Sequence, residues 1–473
     1  MSFEHYQQSC LDKLTWATGQ LNIEVESSQL VKIAELIVQT MTGHWRYFHT
    51  PEHIFMVGGS EDPIEILAAL FHDVVYVQVD QSVNFNLSYY ITPFIKQVRE
   101  KLVVRESEEL PYDFTFEMVT QIFGITPGQI LSPFAGQNEF LSALVGAKVY
   151  QSFLPPWIIF QIVACIEATI PFRPKSTSGS TSSEQLYLRL QQTNTNFNLG
   201  LRDSEIVETV KKTVRLANRD VSSFAHPSAA HFLDNTWSLL PETNHHFDNP
   251  SAYTVYDYRI ALQKMAGFLD FLKPEVVFQQ FQEEPNDYTY QRLIKQAQNN
   301  LEIARLYLGT KLFTIAFLEA LSLRIGKDIP LATMMGELPV GGLLANTLAN
   351  FLPPIINAHK LQNDLEREVF TLLEVGRSKS SAYDLKNSPL ATFMVKFLGF
   401  EEIKHLRNLA EEFFQGHLCS EEFLGKCNYE LIEIVTEKIL ELFDSRKTAL
   451  TQSNRIDNNS NSAPMLTIGD CQN

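Results

Sequence analysis

Three histidines and a carboxylate lie close together near the N-terminus. His49 and His53 fall in Arg46-Tyr47-Phe48-His49-Thr50-Pro51-Glu52-His53, and His72 and Asp73 in Phe71-His72-Asp73-Val74-Val75-Tyr76. His49 and His53 are spaced i, i+4, so on a helical turn both imidazoles project from one face. The His72-Asp73 pair closes the apolar run Ile64 to Phe71, which reads as a buried helix. Ionisable groups at the end of a buried helix need partners. Neutral imidazole and carboxylate together suit a divalent cation such as Zn, Mn, Fe or Ni.

Further carboxylates stand in apolar or helical settings: Glu139 at the start of a helical pattern, Glu167 within Ile162 to Thr169, and Asp220 within Leu216 to Val221. Each also has a structural reading. Glu139 could be a first-turn acid favoured by the helix dipole. Glu167 could pair with Arg173 or Arg219 inside the fold, and Arg46 could anchor Asp73 or Glu139.

The elements that must position these residues read as helices. Leu30, Ile33, Ala34, Leu36, Ile37 and Met41 fall at helical spacing over residues 28–42 and deliver the chain to Arg46. Asp62-Pro63-Ile64-Glu65 reads as a capped start, with Asp62 at N-cap, Pro63 at N1 and Glu65 as the reciprocal cap. Residues 77–137 carry scattered prolines and glycines and read as an insertion of short elements over the site. Helical patterns return over 138–150, 156–169 and 204–224, with the Ser/Thr-rich run 175–183 as a surface loop. Beyond Asn249-Pro250 the segments 258–281, 286–325, 355–375 and 400–445 are helical, and no β-alternation is sustained enough for a sheet. His245-His246 reads as a solvated pair in a turn. The expected architecture is all-α: a first domain over 1–250 with the insertion 77–137, a helical domain of open role over 251–450, and a disordered tail over 451–473.

Composition excludes several function classes. The chain has 473 residues, 45% hydrophobic and 20% charged, with net charge −17, which disfavours duplex nucleic acid and anionic membrane as partners. Five scattered cysteines without a CxxC pair fit a reducing compartment and argue against a thiolate zinc site. The N-terminus lacks a basic segment followed by an apolar core, and the longest apolar stretches are broken by prolines and glycines. A cytoplasmic protein is the expectation.

The order of motifs resembles the HD-domain superfamily of metal-dependent phosphohydrolases, in particular its predicted members carrying an Asn-Glu-x-x-Ser-Ala motif. The matching residues are Arg46, His49 and His53; His72, Asp73 and Tyr76; Asn138, Glu139, Ser142 and Ala143; Ile166, Ala168 and Thr169; and Asp220. The resemblance covers roughly residues 28–226. It implies an HD-type helical bundle followed by a second helical domain, with His53, His72, Asp73 and Asp220 as ligands of a divalent ion (Mn, Fe, Zn, Co or Mg). It implies His49 as proton donor to the leaving group and Arg46 as a phosphate contact, with Glu139 and Glu167 beside them. Phe172 stands where relatives place a histidine after Ala-Thr, and Tyr76 where the cyclic-nucleotide phosphodiesterases place one. One metal is therefore expected rather than two.

Two functions follow as expectations. The first is hydrolysis of a small phosphate ester, a nucleotide being the first candidate, by metal-activated water. The second is a non-catalytic regulatory protein that senses a metal or nucleotide, with residues 251–450 as a platform for a protein partner or self-association.

Overall fold

The computed structural model describes residues 2–249, 252–337 and 346–451, with side chains through Lys447. Its first part runs through helices α1 (Phe3–Gln20), α2 (Ser27–Met41), α3 (Pro51–Val57), α4 (Pro63–Phe71), α5 (Val77–Asp80) and α6 (Phe85–Ile91). A two-stranded hairpin follows, β1 (Ile95–Val98) and β2 (Lys101–Val104), then α7 (Phe114–Phe123), α8 (Gln137–Tyr150), α9 (Pro156–Ala168), α10 (Ser182–Asn196) and α11 (Asp203–Asp220). The second part holds α12 (Ala229–Thr243), α13 (Val255–Phe271), α14 (Asp287–Ser322), α15 (Leu331–Met335), α16 (Asp364–Glu374), α17 (Pro389–Leu398), α18 (Phe400–Phe414), α19 (Ser420–Leu424) and α20 (Tyr429–Thr451). The protein is thus predominantly all-α, as its periodicity indicates.

Local chemistry explains the helices that matter for the site. Asp62 caps α4 by accepting from the N–H groups of Ile64 and Glu65, and Pro63 occupies N1 with its φ preset. Every residue of α4 after Pro63 is buried, so it is a central rod rather than a surface helix. α9 is similar, buried from Ile158 to Ala168. Helix α8 crosses α4 closely at Gly146, where an added Cβ would stand 3.1 Å from Phe71. That close approach fixes the end of α4, from which His72 and Asp73 emerge.

The buried side chains form two cores. One gathers residues from Cys10 to Ala217 together with Phe281, and the other gathers residues from Ala229 to Leu442 around the long helix α14. Helix α12 therefore packs with the second core although it precedes residue 250. The two units meet through Phe172, whose ring packs on Phe224 and Phe268, and through Asn218 and Gln279, which exchange hydrogen bonds of 2.8 and 2.9 Å.

Several local expectations change. The segment 77–137 is built into the first core through Leu87, Ile91, Phe94, Phe116, Met118 and Ile122. Within it, Ile95 pairs antiparallel with Val104, although no strand was legible. Strands of four residues are too short for alternation to register, and the turn places Arg99 at φ 58° without using a glycine. Helix α10 begins inside the Ser/Thr-rich run, because Thr181 and Glu184 form a capping box. The tail expected from 451 lies, beyond Thr451 itself, outside the described residues. No described helix is long and apolar enough to cross a membrane.

Candidate metal centre

Four side chains from three places in the chain converge. His53 comes from α3, His72 and Asp73 from the turn ending α4, and Asp220 from the last position of α11. One nitrogen or oxygen from each lies within 4.8 Å of all the others. His53 Nε2 is 3.3 Å from Asp73 Oδ2 and 3.1 Å from Asp220 Oδ1, and His72 Nε2 is 3.0 and 3.6 Å from the same two atoms.

These contacts gather around a point rather than pairing along hydrogen-bond axes. Both Nε2 atoms are buried and make no hydrogen bond. A buried imidazole nitrogen without a partner is costly unless something else binds it. His72 Nδ1 lies 2.7 Å from the Ala69 carbonyl, which can only accept, so Nδ1 carries the proton and the Nε2 lone pair faces the other three groups. The donor set of two imidazoles and two carboxylates fits a divalent ion of the Zn, Mn or Fe type.

These four groups shift one another's titration strongly. Burial alone would lower the pKa of His53, but the Asp220 and Asp73 carboxylates beside its Nε2 carry it up to about 9. His72 is raised well above its ordinary value against the same burial, chiefly by the charge of Asp73. Burial would raise Asp73, yet His72, His49 and His53 hold it well below the usual carboxylate range, and Asp220 is lowered by His53 and His72. Burial pushes Glu139, in the first turn of α8, up to about 7, with the Asp73 and Asp220 charges adding to the rise. Glu139 therefore feels the centre without being one of the four converging groups.

His49 stands beside this cluster, its ring 5.9 Å from that of His53 and 4.2 Å from that of Tyr76. Its Nδ1 is 2.6 Å from Glu242 Oε2. The other oxygen, Oε1, accepts the backbone N–H groups of Tyr47, Phe48 and His49 at 2.8, 2.8 and 2.9 Å. A carboxylate accepts only, so Nδ1–H is fixed and Nε2 is the ring nitrogen left for the site.

Comparison with known protein families, curated proteins and solved structures returned no match. The geometry therefore carries the reading of each remaining residue.

Arg46, expected as a phosphate contact, has a fully buried side chain whose donors are committed elsewhere. Nε and Nη2 hold Asp80 at 3.0 and 2.6 Å, and Nη1 and Nη2 donate to the carbonyls of Asp73 and Val74 at 2.7 and 3.3 Å. It clamps the turn that carries Asp73. Glu167, expected beside the site, pairs with Arg173 at 2.6 Å, one of its two expected partners, and with Arg189, while the other expected partner, Arg219, is held by Glu65. Asn138 and Ser142 tie α8 to the same turn: Asn138 Oδ1 accepts from Val77 N–H at 3.1 Å and Ser142 Oγ from Val75 N–H at 3.0 Å.

Three supporting residues were not legible beforehand. Glu242 lies in a helix that Pro241 obscured. Asp80 had no visible partner. Glu65 closes no reciprocal cap; its carboxylate, 1% exposed, holds Arg215 and Arg219 of α11, each at 2.7 Å. This pairing docks the end of α11 against α4 and so brings Asp220 to the histidines. His245 is half-buried and stacks on Trp45 with ring centroids 4.2 Å apart, while His246 is exposed.

Proposed function

We propose that the protein is a metal-dependent phosphohydrolase of the HD type, acting on a small phosphate ester of which a nucleotide is the first candidate. The observation that carries this reading is the convergence of His53, His72, Asp73 and Asp220 with both imidazole Nε2 atoms buried and unbonded, beside a histidine held separately. A divalent ion held by these four residues supplies Lewis acidity, lowering the pKa of a water toward 7 and offsetting charge on a phosphoryl oxygen.

The chain supplies the rest. His72 and His53 present lone pairs, and Asp73 and Asp220 supply the balancing negative charge. His49 gives a proton from Nε2 to the departing oxygen, and Glu242 retains Nδ1–H so that the ring neither flips nor drifts. Arg46 holds the Asp73–Val74 turn in place, a positioning role instead of contact with phosphate. His49, His53 and His72 are all at most 8% exposed, which favours a slender phosphoryl end over a bulky polymer.

The test is metal analysis of the purified protein together with turnover of a panel of nucleotides and simple phosphate esters with Mn, Fe, Co, Mg and Zn. Loss of turnover in both His72→Ala and His49→Ala, with metal retained only in the latter, is the expected result. Stoichiometric metal without hydrolysis across the panel would overturn catalysis and favour a sensor.

A further inference from the structure

Asp220 is the last residue of α11, so its position depends on what ends that helix. The local sequence supplies no stop. Val221 follows as the C-cap at φ −94°, and residues 221–226 contain neither glycine nor proline. A helix end leaves carbonyls without intrahelical partners and frays when nothing beyond the helix holds it. Within the first unit, Arg215 and Arg219 on Glu65 fix one side of the last turns.

The other restraints come from the second unit. After Asp220 the chain turns through Ser222–Ala225, and Val221, Phe224 and Ala225 pack against the second core. Asn300 of α14, fully buried, donates from Nδ2 to the carbonyls of Phe224 and His226, both at 2.9 Å. Its Oδ1 accepts from Gln296 Nε2 at 3.3 Å, so both ends of the amide are used. A carboxamide among the buried Ala297, Leu301, Ile303 and Ala304 is costly unless its bonds are made. The two carbonyls beyond Asp220 are what it is there to hold.

A second attachment precedes Asp220. Asn218 exchanges hydrogen bonds of 2.8 and 2.9 Å with the backbone of Gln279. The Gln279 side chain in turn donates to the Ala168 carbonyl at 2.8 Å and accepts from Ser183 Oγ at 2.9 Å. The end of α11 is thus held by the second unit on both sides of Asp220.

We infer that Asn300 is a positioning residue for Asp220, and that through it and the Asn218–Gln279 pair the second unit sets the affinity of the metal centre. The inference rests on Asp220 being a ligand there. Asn300 acts only through the turn that stops α11, which keeps the Asp220 carboxylate 3.1 Å from His53 Nε2. The second unit is then part of the frame of the site, and a shift of α14 against the first unit changes metal occupancy.

The full-length protein is titrated with cobalt(II), whose visible absorption reports the number and geometry of its ligands, beside Asn300→Leu, Asn218→Leu and Thr310→Val. Thr310→Val removes another buried hydrogen bond of α14, from Thr310 Oγ1 to the Leu306 carbonyl at 2.8 Å, away from Asp220. Cobalt affinity should fall about 10- to 100-fold in Asn300→Leu, with an altered spectrum, and keep its parental value and spectrum in Thr310→Val. Asn218→Leu, which cuts the second attachment, should weaken binding about tenfold and decides if Asn300→Leu does not fold. Parental affinity and spectrum in the deciding variant, or equal weakening in Thr310→Val, would overturn the inference. Failure of the parent to bind cobalt, or undiminished binding in His72→Ala, would instead remove the metal centre itself and the inference with it.

Discussion

Glu242 Oε2 lies 2.6 Å from His49 Nδ1, joining residues 193 positions apart, and its second oxygen gathers the three backbone N–H groups that lead into the histidine. Glu242 belongs to α12, which packs with the second core, whereas the converging His and Asp groups belong to the first. The candidate site is therefore shared between the two units.

Glu242→Ala should lower turnover by about 10²-fold while metal content is retained, since it acts on the acid group and not on the ligands. It should also cost roughly 2–4 kcal/mol in urea denaturation, because four donors lose a buried acceptor. Burial would raise the Glu242 pKa, but the charge of His49 and the donated hydrogen bonds hold it below the ordinary 4.5. Its contribution to stability is accordingly present above pH 4.5 and lost as pH falls through the folded-state value. The Glu242→Gln variant should show a shallower acid destabilisation than the parent, and an identical slope would refute the assignment.

Metal affinity should rise with pH. His53 is held near 9 and His72 is raised well above its ordinary value in the metal-free protein, so a proton must leave before an ion enters. A raised histidine stabilises the metal-free fold fully below its unfolded value of 6.5, and that share fades as pH climbs toward about 9. Calorimetry at neutral pH in buffers of different ionisation enthalpy should reveal proton release on metal uptake. A pH-independent affinity between 6.5 and about 9 would contradict the proposed ligand set.

Chelation should destabilise the parent protein and leave His72→Ala and Asp220→Asn unaffected. Metal at about a hundred times its Kd stabilises the folded state by about 2.7 kcal/mol. Thermal melts with and without chelator read this difference directly, and an equal response in all three proteins would place the ion elsewhere.

Arg46→Ala should act on stability before it acts on substrate. Its removal strands Asp80 and frees the Asp73 and Val74 carbonyls, a break in a buried pair that costs about 3–5 kcal/mol. Arg46→Lys should fall between, since a point charge cannot serve Asp80 and two carbonyls at once. A rise in KM with unchanged stability would instead mean that Arg46 contacts phosphate.

The helical class was legible from the chain's own periodicity, and the four converging groups through the resemblance of their motif order to the HD superfamily. Helical periodicity, the Asp62-Pro63 start of α4 and the His72-Asp73 doublet at its end are set by neighbours in the chain, so they are legible locally. The i, i+4 spacing placed His49 and His53 on one face, and only the resemblance of the motif order to the HD superfamily set them apart as acid and ligand. Tertiary structure alone decided which charges support the site. Glu65 with Arg215 and Arg219, Arg46 with Asp80, and Glu242 with His49 join helices far apart in sequence. A single carboxylate in an apolar stretch carries no periodic signature of its partner. Burial makes that partner necessary, and burial is settled only when the helices pack. For the same reason Glu167 resembled a site residue until Arg173 and Arg189 closed on it, and Phe172 could be seen to face the second core only once Phe224 and Phe268 were in place.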